Sequence, residues 1–69
     1  MIKKIFGERL KQLRKQSNLT TTALGNLVGV SHTTISRWEN GVIEASLNHI
    51  YKLAKVLNVS SDYLIGIED

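Results

Sequence analysis

Apolar residues along the chain recur at helical rather than strand intervals. Phe6, Leu10 and Leu13 stand at i, i+4 and i+7, the spacing of one buried face, so a first helix is predicted from about Lys3 to Gln16 with Arg9, Lys11 and Lys15 outward. Ser17-Asn18 interrupts it. Thr20 then caps a second helix through about Val28, with Leu24, Leu27 and Val28 as its apolar stripe and Gly29 as its end. Ser31 is the expected N-cap of a third helix reaching Glu39 and stopping at Asn40-Gly41, a left-handed terminator. A loop from Val42 to Ala45 leads to Ser46, the cap of a fourth helix with Leu47, Ile50, Ala54 and Leu57 inward and an end near Asn58. Ser60-Ser61-Asp62 opens a short fifth helix carrying Tyr63, Leu64, Ile65 and Ile67 around Gly66. The expected class is all-α, a compact five-helix arrangement.

Composition narrows the picture without changing it. The 69 residues are 42% hydrophobic with no proline, which suits packed helices in one domain spanning 1–69. There is no cysteine, hence no disulfide framework and no thiolate metal site. No apolar run is long enough for a membrane span or a leader, so a cytoplasmic protein without membrane attachment is expected. The net charge of +3 is unevenly placed: residues 1–15 hold six Lys or Arg against Glu8, while residues 44–69 hold two lysines against four acids. A basic end of this kind suits a polyanion, although solvated basic faces are common on helices.

The most informative stretch is Thr21 to Asn40. Leu24, Val28, Val30, Ile35 and Trp38 fall where two helices crossing steeply need inward contacts, Gly25 leaves room for their close approach, and Gly29 suits a tight turn. With Ile35 and Trp38 inward, the opposite face of the third helix is His32, Thr33, Ser36 and Arg37. Hydroxyls, an imidazole and a guanidinium on a short exposed helix match the base edges of the DNA major groove, and these four are the expected base contacts. Arg37 can donate twice to guanine; Thr33 and Ser36 can meet either base edges or, through the Thr methyl, a thymine methyl. Thr21, Ser31, Thr34, Asn40 and backbone N–H groups near Asn40, with Lys11 and Lys15, are the expected phosphate contacts.

Several segments resemble, in order, the phage-repressor and Cro-like (Xre-type) helix-turn-helix family of transcriptional regulators. They are Gly7-Glu8-Arg9-Leu10 with Leu13-Arg14, Asn18-Leu19-Thr20, Leu24, Gly29-Val30-Ser31, Thr34 to Gly41, Ser46-Leu47, Leu53-Ala54-Lys55 and Asp62-Tyr63-Leu64. The resemblance implies a lambda-repressor-like five-helix DNA-binding domain, a helix-turn-helix unit at about 21–40, and a twofold dimer on a near-palindromic operator. It also implies an ion pair between Arg14 and Glu39. Four positions depart from the family pattern: Thr21 and Thr22 stand where Gln and Glu are common, Ala45 where Pro is common, and Gly25 where Ala is commoner. A glycine inside a helix costs about 1 kcal/mol unless packing demands it, so local softness in the second helix is the expectation there.

Competing readings attach to individual residues. Trp38 suits the core better than stacking on a base, and His32 and His49, too far apart for a ligand pair, are expected at the surface with no metal and no cofactor. Tyr63, Leu64, Ile65 and Ile67 serve either the monomer core or a homodimer interface, the latter being favoured. No nucleophile–base–acid set or phosphate loop points to an enzyme. Two alternatives stand beside a repressor: an antitoxin or partner-controlled phage regulator, and a protein-interaction module that has lost DNA binding.

Overall fold

Hydroxyl side chains start four of the five helices. The computed structural model describes all of residues 1–69 and contains α1 (Ile2–Gln16), α2 (Thr21–Val28), α3 (His32–Glu39), α4 (Leu47–Leu57) and α5 (Ser61–Ile65), with no strand. Thr20, Ser31, Ser46 and Ser60 accept the N–H groups of Ala23, Thr34, His49 and Tyr63 at 3.0, 3.2, 3.2 and 3.0 Å. Each such cap satisfies an otherwise orphaned donor and contributes about 1 kcal/mol. Gly29, Asn58 and Gly66 end α2, α4 and α5 in the left-handed conformation. After α3 the left-handed residue is Gly41, at φ 70°, whereas Asn40 keeps φ −92°.

Every helix feeds one core, made of Phe6 and Leu10, Leu24 and Val28, Ile35 and Trp38, Leu53, Ala54 and Leu57, and Leu64. Trp38 sits at its centre, edge-on to Phe6 with ring centroids 6.3 Å apart and beside the His49 ring at 5.2 Å. His49 is therefore half-buried rather than free at the surface, and its Nδ1 lies 2.9 Å from the Ser46 hydroxyl. Two expected core residues turn outward: Leu27 is 57% and Leu47 86% exposed. In α2 the buried arc runs through Leu24, Gly25 and Val28, and Leu27 lies beside it; in α4 it runs through Leu53, Ala54 and Leu57, and Leu47 projects from the first turn.

Two glycines set the spacing between helices. A Cβ on Gly25 would stand 2.5 Å from the Val30 carbonyl oxygen, which belongs to the turn feeding α3. The Val30 N–H in turn donates to the Gly25 carbonyl at 2.9 Å. Packing thus uses this glycine, and the softness expected of α2 is offset by a close α2–turn contact. Gly7 plays the matching part on α1: its Cβ would meet the carbonyl oxygens of Trp38 and Glu39 at 2.5 and 2.6 Å, so α1 runs directly against the C-terminal end of α3.

Candidate nucleic-acid interface

The orientation of α3 follows from its two buried residues. Ile35 is 0% and Trp38 2% exposed, and the α2–α3 turn at Gly29-Val30-Ser31 leads into α3 with that side against the core. At about 100° per residue the opposite side carries Thr33 and Arg37, both exposed, with exposed His32 at the first turn. Ser36 departs from the expectation of full exposure: it is half-buried, and the Asn40 side-chain amide donates to its hydroxyl at 3.4 Å. One side of α3 therefore presents a hydroxyl, an imidazole and a guanidinium to solvent, with Ser36 recessed at its edge.

From behind, α3 is tied to α1 by a two-pronged ion pair. Arg14 Nε donates to Glu39 Oε2 at 2.6 Å and Nη2 to Oε1 at 3.1 Å, while Nη1 donates to the Leu19 carbonyl at 2.8 Å. The two side chains are only 13% and 5% exposed, so this is an interior contact. The hydrogen bond to Glu39 raises the Arg14 pKa above the ordinary guanidinium value, against the opposing effect of burial. One guanidinium thereby joins α1, the end of α3 and the turn before α2.

The candidate phosphate contacts fall into three groups. Lys11 and Lys15 are exposed on α1, and neither has a carboxylate partner. Ser31 and Thr34 are already engaged: the Ser31 hydroxyl accepts the Thr34 N–H and lies 3.2 Å from the Thr34 hydroxyl, and Thr34 is half-buried. Thr21 is half-buried as the first residue of α2, the capping role belonging to Thr20. Asn40 keeps an exposed side chain, but the backbone amides around it do not point outward as expected. The N–H groups of Asn40, Gly41 and Val42 donate back to Ser36, Trp38 and Arg37 at 3.0, 3.2 and 2.9 Å, closing the helix end.

At the far end of the chain, the four apolar residues expected at a dimer interface separate. Leu64 is 0% exposed and belongs to the monomer core, so it cannot supply contact surface. Ile65 is half-buried, Ile67 is 73% exposed, and Tyr63 lies under the Arg9 guanidinium, 4.3 Å from its ring centroid. Arg9, expected to face solvent, also donates to the carbonyls of Tyr63 and Glu68. Its position one residue before buried Leu10 and three after buried Phe6, at the edge of the apolar arc, is the signal that marks it.

Known proteins share this arrangement. The helix-turn-helix family model matches residues 10–64. The repressor protein C2 of Salmonella phage P22 is 39% identical over 61 residues, covering 88% of this chain and 28% of the relative. The HTH-type transcriptional regulator DicA of Escherichia coli K12 is 34% identical over 65 residues, covering 93% of this chain and 48% of the relative. The chain thus spans about a quarter to a half of these relatives. The crystal structure of the P22 c2 repressor in complex with synthetic operator 9T superposes with a TM-score of 0.86 at 39% identity, covering 90% of this chain and 94% of that one. With its family match across most of its length, its five helices and its α2–turn–α3 corner, this chain belongs to the helix-turn-helix family.

Proposed function

We propose that this chain binds duplex DNA sequence-specifically and acts as a transcriptional repressor, with α3 in the major groove and two copies on a near-palindromic operator. The observation that carries the reading is the polar outer side of α3, held outward by buried Ile35 and Trp38 and braced by the Arg14–Glu39 pair. His32, Thr33 and Arg37 meet base edges, and Ser36 does so from its recessed position at the rim. The hydroxyls of Thr21, Ser31 and Thr34, the Asn40 side chain, and Lys11 and Lys15 meet phosphates and set register. The similarity to a repressor solved on its operator supports the same docking here.

Dimerisation in this reading uses Ile67 with the exposed parts of Ile65 and Tyr63. The operator-bound dimer represses by occupying a promoter. Selection of bound duplexes from a randomised pool at moderate salt tests this directly. The expected winners contain two inverted half-sites centred about 10 base pairs, one helical turn, apart or at a multiple of it. Binding with no enriched sequence would refute specific recognition, and single unpaired half-sites would refute the dimer.

A further inference from the structure

We propose that the DNA contact continues from α3 onto the first turn of α1, where Lys3 and Lys4 bind the phosphate backbone beside the base-read segment. This rests on the reading of α3 as the recognition helix. Of the six basic residues on α1, the fold uses two. Arg14 is committed to Glu39 and Leu19, and Arg9 to the carbonyls of Tyr63 and Glu68. Lys3, Lys4, Lys11 and Lys15 are all exposed and have no carboxylate within ion-pair distance, the chain's single ion pair being Arg14–Glu39.

Lys3 and Lys4 are set apart from the other two by what their backbone touches. The Lys3 carbonyl oxygen and the Lys4 Cα each lie 3.7 Å from the position of a Cβ on Gly41, the residue that closes the end of α3. Thr33 and Glu39, the last residue of α3, are separated by about 9 Å of helix rise, and Gly41 lies two residues further on, so the span approaches the width of about 12 Å of the major groove. With the N-terminal part of α3 at the base edges, Gly41 and the two lysines beside it reach the groove wall, where the phosphates stand. A lysine there serves as a point charge for phosphate and carries no base preference. Glu44 borders the same depression as Lys3 and Glu8 stands one helical turn after Lys4, but neither acid lies within ion-pair distance of them.

The test compares the full chain with a Lys3→Gln/Lys4→Gln variant on the duplex preferred in selection, titrated between low and moderate salt. A Lys52→Gln/Lys55→Gln variant makes the same charge change on α4, and circular dichroism checks that both variants fold. The α1 variant is expected to lower the slope of log K against log salt by about 1.8, at roughly 0.9 per phosphate contact, with the order of preferred sequences unchanged. The α4 variant is expected to keep the slope of the unsubstituted chain. An unchanged slope in the α1 variant, or an equal fall in the α4 variant, overturns the proposal while leaving the α3 reading intact. Failure of the unsubstituted chain to bind any duplex overturns both.

Discussion

Replacing Arg14 by methionine tests how α3 is held. The substitution keeps most of the aliphatic stem but leaves the Glu39 carboxylate, 5% exposed, without its two donors, and the Leu19 carbonyl without one. Removing one partner of a buried pair costs about 3–5 kcal/mol, against about 0–1 kcal/mol for a pair in solvent. The exposures of 13% and 5% describe a partly buried pair, which places it between the two regimes, at about 1–4 kcal/mol. A native chain of 69 residues is stable by roughly 3–10 kcal/mol, so Arg14→Met is expected to remove a large part of the total. The Arg14→Met/Glu39→Leu double variant takes away both charges and should regain most of that loss, short of about 1 kcal/mol for the unpaired Leu19 carbonyl. Urea unfolding followed by the fluorescence of Trp38, the only tryptophan, reads both variants against the native chain. A single-variant loss below about 1 kcal/mol, or a double variant no more stable than the sum of the two single changes, would refute the claim that the pair acts as one buried unit.

Three further substitutions probe other contacts. Gly7→Ala gains about 1 kcal/mol of helix propensity but drives a Cβ into two carbonyl oxygens of α3 at 2.5 and 2.6 Å. Overpacking of that kind costs about 1–3 kcal/mol, so a lower melting temperature is expected, and a higher one would mean that α1 and α3 part freely. Arg9→Ala removes the grip on Tyr63 and Glu68, so hydrogen exchange should quicken at the α5 amides while α2 and α3 keep their protection; uniform quickening would count against a local clamp. Arg37→Ala should remove about 1–3 kcal/mol of base discrimination in competition binding, whereas Lys15→Ala should weaken all sequences alike; unchanged preference in the Arg37 variant would remove it from the reading face.

Much of the fold is legible in the sequence because helix limits depend on neighbours along the chain. Thr20, Ser31, Ser46 and Ser60 each stand three residues before the amide they accept, and Gly29 and Gly66 stand where a left-handed residue ends a helix. The errors come where a helix's inward arc is set by tertiary contacts. Leu27 and Leu47 match a helical period in hydrophobicity, yet the elements packed against α2 and α4 cover other residues, and both side chains remain in solvent. Leu64 errs in the opposite sense. An apolar residue near the end of the chain reads as contact surface, but α1 and α4 already enclose it.

The outer face of α3 is legible for the same local reason: once Ile35 and Trp38 point inward, the period of α3 turns Thr33 and Arg37 outward. Contacts made across long stretches of chain, such as Arg9 with Tyr63, leave no such periodic trace. A residue-type signal is nevertheless present on α1. Both basic residues that pin other elements are arginines, and all four left in solvent are lysines. A guanidinium offers several donors in a fixed fork, so one side chain can hold a carboxylate and a carbonyl, or two carbonyls, at once; an ammonium on a flexible stem is a compact, strongly hydrated point charge that keeps its water where no fixed partner holds it. The choice between arginine and lysine along one helix thus separates the charges that build the scaffold, Arg9 and Arg14, from those left in solvent, Lys3 and Lys4 as well as Lys11 and Lys15.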